Sequence, residues 1–309
     1  MSRNLIFTVA LLAFLCCTNS KVQDNERVII AKDNGSIILA YKAFYDFLDS
    51  DRSWQSYQSI LFDTYPEVRE VHNSQVKWGV IDTMTFPDII KDYKREDYER
   101  FLTQYDDRMF NFLYDSIIVL SHKILPPVKK QQTDICFFLP YGSCFVIPGE
   151  DRNVIYISMH INPGQVKKIM AHEYAHILHH QRWPDEPLTL KRELISEGMA
   201  VYLTTQILKD IEISNAVPFM LESSFKWCMQ NEPLIKDSIR SELNDTTMQL
   251  FIRYISDGSF AKPPKGFVQK TGYFIGYRII EACINKGMTL EEICGLKSEM
   301  VIRKSGYFN

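Results

Sequence analysis

Residues 163–183 have the sequence PGQVKKIMAHEYAHILHHQRW, which contains four of the seven histidines of the 309-residue chain. Pro163 suits the first turn of a helix, and apolar residues follow it at helical spacing. On such a helix His172 and His176 are displaced by about 40° in azimuth and about 6 Å along the axis, so both imidazoles can bind one metal ion. Glu173 lies on the flank of the same face, within reach of a water molecule beside that ion. The segment therefore predicts a helix with the H-E-x-x-H pattern of a metal-dependent hydrolase.

A second predicted helix, over residues 188–207, supplies acidic side chains for the same ion. A zinc ion in a catalytic site takes three protein ligands and keeps one position open, so the two histidines require a third donor. Glu193 and Glu197 lie one turn apart in an otherwise apolar stretch, where an unpaired charge would be costly. Both are candidates for the third ligand. His179 and His180, one turn further along the first helix, are expected to support the site or to lie at the surface.

Two further motifs follow the histidines: Glu197-Gly198-Met199-Ala200, and Gly272-Tyr273 with Gly276-Tyr277 four residues later. Together with the H-E-x-x-H helix they make the chain resemble the gluzincin metallopeptidases. Within these it resembles most the predicted zinc-dependent proteases of the YjaZ type and the related gliding-motility lipoproteins. The resemblance covers roughly residues 134–296.

The resemblance implies a Zn²⁺ cofactor and a peptide or protein substrate. Three side chains would hold the zinc ion: His172, His176 and Glu197. The family's glutamate ligand lies roughly 20 residues past the motif, and Glu197 lies 21 residues past His176, which leaves Glu193 as the second candidate. Glu173 would take a proton from the attacking water and pass it to the leaving amine.

Two further side-chain roles follow from these motifs. Tyr273 and Tyr277 lie on one helical face, and either phenol can donate a hydrogen bond to an oxyanion, although two core aromatics would show the same pattern. Thermolysin-like gluzincins have an aspartate four residues after the glutamate ligand, which supports a zinc histidine. Val201 occupies that position here, so such support must come from elsewhere, Glu193 being one source, or is missing.

The predicted fold is α+β and mainly helical, a zincin-like metallopeptidase domain in which a small antiparallel sheet precedes the active-site helices. Residues 21–130 predict a region of helices, the best of them from about Arg95 to Leu125. From Asp134 to Ile161, short β-prone runs alternate with turn signals and predict the sheet. Residues 131–309 form the predicted catalytic domain. The stretch from Asn153 to Met159 is a candidate edge strand for an extended peptide, or an ordinary buried strand.

Residues 1–20 predict an export signal, with a basic residue before an apolar run from Leu5 to Leu15. The run is shorter than the about 20 apolar residues that span a membrane. Cys16-Cys17 resembles the end of a bacterial lipoprotein signal, in which a cysteine becomes acylated. Cleavage near Ser20 is the alternative, and an uncleaved anchor is a third. Each places the protein outside the cytosol, in the periplasm, on the outer membrane or secreted.

The composition limits the classes of molecule that the protein is expected to bind. The 35 Lys and Arg against 38 Asp and Glu give a net charge of −3, so the chain has no basic field to hold nucleic acid. Five cysteines follow the signal. Cys136 and Cys144 flank a turn and can pair across a hairpin, or all five are small buried residues. The sequence leaves the oligomeric state open.

The function predicted from the sequence is a zinc-dependent peptidase. The alternative is an exported lipoprotein with a peptidase-like fold that acts in binding or envelope assembly. A third interpretation is hydrolysis of a non-peptide amide. Because a pure scaffold has no need of Glu173, its presence beside the candidate ligands favours an enzyme.

Overall fold

The computed structural model describes residues 27–309. The predicted export signal, with Cys16 and Cys17, lies outside these residues. Among the helices of the described part, none combines the length and apolar character needed to cross a bilayer. The architecture is α+β and mainly helical, in agreement with the predicted class. Strands from both sides of residue 130 join one sheet. The domain boundary near that residue stays a prediction.

A mixed five-stranded sheet lies at the centre of the fold. Its strands are β1 (Ile29–Lys32), β2 (Gly35–Ile38), β3 (Gln132–Phe138), β4 (Phe145–Ile147) and β5 (Arg152–Ser158), in the order β1-β2-β3-β5-β4. The two outer pairs are antiparallel, whereas β3 runs parallel to both β2 and β5. The predicted antiparallel sheet is therefore wrong. Apart from their first residues, β3 and β5 are buried throughout, as parallel strands covered on both faces are.

The sheet order also corrects the predicted edge strand. β5 lies between β3 and β4, so residues 153–159 are interior, and β4 forms the edge on that side. The same order separates Cys136 on β3 from Cys144, which precedes β4. All five cysteines of the described part are free, and four of them are buried. No disulfide joins these strands in residues 27–309.

The helices before β3 are α1 (Tyr41–Leu48), α2 (Trp54–Tyr57), α3 (Pro66–Lys77), α4 (Phe86–Ile89), α5 (Arg95–Leu102) and α6 (Asp107–Ile124). The single helix predicted from Arg95 to Leu125 is thus two helices. The helix is interrupted at residues 103–106 because Asp106 caps a new helix. Its carboxylate accepts a hydrogen bond from the Met109 backbone N–H at 2.7 Å.

The helices after the sheet are α7 (Pro163–His180), α8 (Leu190–Ile207), α9 (Ile213–Ala216), α10 (Glu222–Gln230), α11 (Glu232–Arg240), α12 (Met248–Leu250), α13 (Thr271–Asn285), α14 (Leu290–Cys294) and α15 (Ser298–Ser305). α7 packs against β4 and β5 of the sheet and against α8. α8 in turn packs against α13. The three helices that carry the sequence motifs are therefore neighbours.

α8 and α13 touch through their backbones. A Cβ atom added at Gly198 would lie 2.2 Å from the carbonyl oxygen of Gly276, and one added at Gly276 would lie 2.1 Å from the carbonyl oxygen of Leu194. Neither contact is possible for a residue with a side chain, so both glycines are required for this approach. The approach brings Glu197 on α8 close to Tyr273 on α13.

Candidate metal centre

Local signals at the N-termini set the positions of α7 and α8. Asn162 caps α7, its side chain accepting from the Gly164 backbone N–H, and Pro163 opens the first turn. Thr189 caps α8 by accepting from the Arg192 backbone N–H. Each helix has 18 residues, so the motif residues lie well inside regular helix rather than at a fraying end.

Three side chains from these helices converge on one point. The Nε2 atom of His172 lies 3.0 Å from Glu197 Oε2, and the Nε2 atom of His176 lies 3.6 Å from the same oxygen. All three candidate ligand atoms lie within 4.8 Å of one another. Ligands placed about 2.0–2.1 Å from a tetrahedral zinc ion are about 3.3 Å apart, so the observed separations fit such an ion.

The electrostatics of the cluster also suit a cation. Burial, and then the charges of Lys270 and Lys168, lower the pKa of His172 to about 3. Burial likewise lowers the pKa of His176 to about 4, against an opposing effect of Glu197. Both imidazoles are therefore neutral near pH 7, the state in which they bind metals. Burial raises the pKa of Glu197, and a bound cation would favour its charged form.

Glu173 lies beside this cluster but outside the set of converging ligand atoms. It is only 8 % exposed. Burial, followed by the Glu197 carboxylate, raises its pKa to about 8. A positive charge bound between the neighbouring ligands would lower that pKa, since it favours the carboxylate. The position thus holds a carboxyl group that can exchange a proton near neutral pH.

Of the two candidate tyrosines, the structure brings only Tyr273 to the cluster. Its ring stacks on His172 with centroids 5.8 Å apart, and burial, followed by the charge of the nearby Glu197 carboxylate, raises the pKa of its hydroxyl well above the usual value. The Tyr277 hydroxyl instead donates to Glu281 at 2.7 Å, and its ring stacks on Tyr202. The role predicted for Tyr277 at the oxyanion is therefore not supported by its position.

The other sequence candidates lie outside the ligand set. Glu193, the second candidate for third ligand, has its nearest ion pair at 3.8 Å with Arg192. His179 is buried, whereas His180 is half-buried, and neither belongs to the converging cluster. Within residues 27–309 the Nδ1 atom of His172 has no hydrogen-bond partner, so Glu193 does not support it.

Ser196 is a further residue of the site, which the sequence motifs do not predict. Its hydroxyl lies 2.9 Å from Nδ1 of His176. If that nitrogen donates its proton to Ser196, the Nε2 lone pair is left free to face the metal position, and the ring orientation is held. The only sequence signal for Ser196 is its position directly before Glu197, and a serine at that position does not by itself predict a role in metal binding.

The Ser196→Ala variant tests this contact. We expect its zinc dissociation constant to rise about 10–100-fold, because the His176 ring loses the group that orients it. Competition with a chromogenic zinc chelator measures the change. Ser223→Ala, at an exposed serine of α10, is the matched control and should bind zinc as the unmodified protein does. Equal zinc affinity in the two variants would show that Ser196 does not position His176.

Comparison with known proteins gives one match. The model of a family described as predicted Zn-dependent protease (DUF2268) matches residues 117–303, more than half of the chain. The matched stretch includes α7, α8 and α13, and hence all of the converging side chains. No curated protein and no solved structure matches the chain.

Proposed function

Because this chain belongs to the family of predicted Zn-dependent proteases, we propose that it hydrolyses peptide bonds with a zinc ion held by His172, His176 and Glu197. The observation that carries the proposal is the convergence of these three ligand atoms within 4.8 Å, with the buried carboxyl of Glu173 beside them. The pattern of two histidines on one helix and a glutamate on the next is that of a gluzincin.

Each residue has a separate task in the proposed reaction. Zinc, when bound, supplies a Lewis acid that makes water a better nucleophile and polarises a carbonyl. Glu173 accepts a proton from the attacking water as the water oxygen bonds to the peptide carbonyl carbon. Glu173 then donates that proton to the amide nitrogen as the C–N bond breaks. The Tyr273 hydroxyl donates a hydrogen bond to the carbonyl oxygen while it carries negative charge.

The cell compartment is a further part of the proposal. We propose that the protein acts outside the cytosol, in the periplasm or as a lipoprotein on the outer membrane, otherwise as a secreted protein. The support is the apolar run and the Cys16-Cys17 pair of the first 20 residues. A peptide or protein in that compartment would be the substrate.

Metal content and peptide turnover, measured together, test the function. We expect the purified protein to carry stoichiometric zinc and to cleave members of a quenched fluorescent peptide library. A chelator should abolish cleavage, and added zinc should restore it, because the three ligands are supplied by a folded site. Zinc without turnover of any peptide would support a binding or assembly role instead. Turnover confined to non-peptide amides would replace the proposed substrate class.

A further inference from the structure

Lys270 is a buried cation at the start of α13. Its residue is only 5 % exposed and stands directly before the first residue of the helix. Its ammonium group donates a hydrogen bond to the Pro218 carbonyl oxygen at 2.9 Å and pairs with the Asp257 carboxylate at 2.9 Å. Burying a charge is costly unless partners hold it, and these two partners come from different segments of the chain. The lysine therefore joins the turn at residue 218, the segment at residue 257 and the start of α13.

The same ammonium group lies over the ring of Tyr273. The distance from Nζ to the ring centre is 4.8 Å, which is within the range in which a cation is attracted to an aromatic face. The Tyr273 ring in turn stacks on the His172 imidazole, with centroids 5.8 Å apart and an angle of 19° between the ring planes. Lys270 thus contacts the phenol that the structure brings to the metal cluster.

The backbone is strained in both segments that meet at this ammonium group. Lys270 has φ 62° and ψ 24°, and Phe219, directly after Pro218, has φ 57°. Residues other than glycine are uncommon in this left-handed region, and such conformations persist only where the surrounding structure fixes them. The centre of the Phe219 ring lies 5.2 Å from the ammonium. Two strained positions therefore meet beside Tyr273, and strain of this kind is found most often at functional sites.

The segment that leads to Lys270 is closed at its base. Asp257 and Lys270 form the outer pair. The Gln269 side chain forms the next pair with the backbone of Gly258, accepting from its N–H at 3.0 Å and donating to its carbonyl at 3.1 Å. Two successive pairs thus hold the ends of residues 257–270 together, as in a compact surface loop. Because the loop ends where α13 begins, the loop and the first turn of α13 are fixed relative to each other.

We propose that Lys270 is a positioning residue, whose ammonium group holds the Tyr273 ring against His172 and so keeps the phenol beside the metal ligands. The task of that phenol in catalysis rests on the proposed peptidase function. A hydrogen bond to the carbonyl oxygen helps only if its donor is already in place, because a displacement of about 1 Å can cost about 100-fold in rate. Lys270 acts through Tyr273 and not on the substrate itself.

A double-mutant cycle tests whether Lys270 acts through Tyr273. We expect Lys270→Met to lower kcat by about 10–100-fold with little change in KM, and Lys270→Arg, which keeps the cation, to retain most of the rate. In a Tyr273→Phe background, Lys270→Met should lower kcat by no more than a few-fold, because the group that it positions is already gone. Lys265→Met, at an exposed lysine of the same loop, is the matched control and should keep the full rate. Losses that simply multiply in the double variant would overturn the proposal.

An NOE measurement on the zinc-free protein keeps the test independent of turnover. Tyrosine and histidine are protonated in an otherwise deuterated protein, and the readout is the NOE between the ring protons of Tyr273 and His172. We expect this NOE in the unmodified protein, in Lys270→Arg and in Lys265→Met, and its loss in Lys270→Met. An unchanged NOE in Lys270→Met would overturn the positioning role. Loss of the NOE in a protein that cleaves no peptide in its unmodified form would overturn only the peptidase function.

Asp257→Asn supplies a second variant, which leaves the lysine in place. The Asp257 side chain is 46 % exposed, so its replacement should leave the fold intact. Lys270→Met should fold as well, because it removes a buried charge and leaves Asp257 in contact with water. Without the Asp257 charge the ammonium is held less firmly, and we expect a weaker NOE and a kcat lowered by a few-fold. Asp257→Asn with the NOE and kcat of the unmodified protein would contradict the proposal.

Discussion

Replacing Glu173 by glutamine is expected to lower kcat for peptide cleavage by about 10²–10⁴-fold, the range that a positioned general base contributes. Glutamine has nearly the same shape but cannot accept the proton from water. Because Glu173 lies outside the converging ligand atoms, zinc content should stay unchanged. The two readouts are kcat on a peptide identified from the library and zinc per chain by atomic absorption.

Glu193→Gln provides the matched control for this variant. Glu193 is also largely buried, and burial raises its pKa to about 7, yet it lies outside the ligand cluster. Its replacement should change kcat by no more than a few-fold. A Glu173→Gln variant that cleaves peptides at the rate of the unmodified protein would remove Glu173 from the mechanism.

The second large effect is expected for His176→Ala, which should lose zinc. The substitution removes one of the three proposed zinc ligands, so that only His172 and Glu197 remain. Loss of an outer partner already weakens metal binding by about 10–100-fold, so loss of a ligand should exceed about 100-fold and abolish cleavage. Zinc per chain after dialysis and the dissociation constant from chelator competition measure it.

His180→Ala is the control for that experiment. His180 lies one turn further along α7, is half-buried and is outside the cluster. It should retain zinc and activity. Stoichiometric zinc in His176→Ala, with an unchanged dissociation constant, would exclude this cluster as the metal site. Taken with Glu173→Gln, the pair of variants separates metal binding from proton transfer.

The parts of the site that depend on local spacing could be predicted from the sequence. His172 and His176 are four residues apart on a helix whose caps and period are visible in the chain, so their common direction follows from helix geometry. Glu197 could be chosen over Glu193 only through the family resemblance, because both lie one turn apart on the same helix. The packing of α8 on α7 decides which of them meets the histidines.

The same limit applies to the tyrosines and to Ser196. Tyr273 and Tyr277 share a helical face, yet their contacts differ. The ring of Tyr273 stacks on His172, whereas the hydroxyl of Tyr277 donates a hydrogen bond to Glu281. One turn of helix, about 5.4 Å, is enough to separate the two environments. The sequence does not state where α13 crosses α8, so it does not state which tyrosine lies at the cluster.

The sheet shows a different limit. Turn signals after β3 and β4 favour hairpins, and hairpin neighbours are antiparallel. β3 instead pairs in parallel with β2, and Ile37 lies opposite Ile135 across a sequence separation that no local pattern reports. The short strands β1 and β2 occupy the start of a region whose later segments are helical. Their partners are therefore set by tertiary packing rather than by local period.

The glycine contact between α8 and α13 has a consequence for how the site can change. Gly198 follows Glu197 directly, and Gly276 lies one turn after Tyr273, so the two helices are joined by main-chain contact at the site itself. Main-chain atoms have no alternative rotamers, and their separation does not relax when core side chains are exchanged. The distance between the Glu197 carboxylate and the Tyr273 phenol is therefore fixed by the backbones of the two helices. Substitutions elsewhere in the core would leave this spacing in place, whereas a side chain at either glycine would change it.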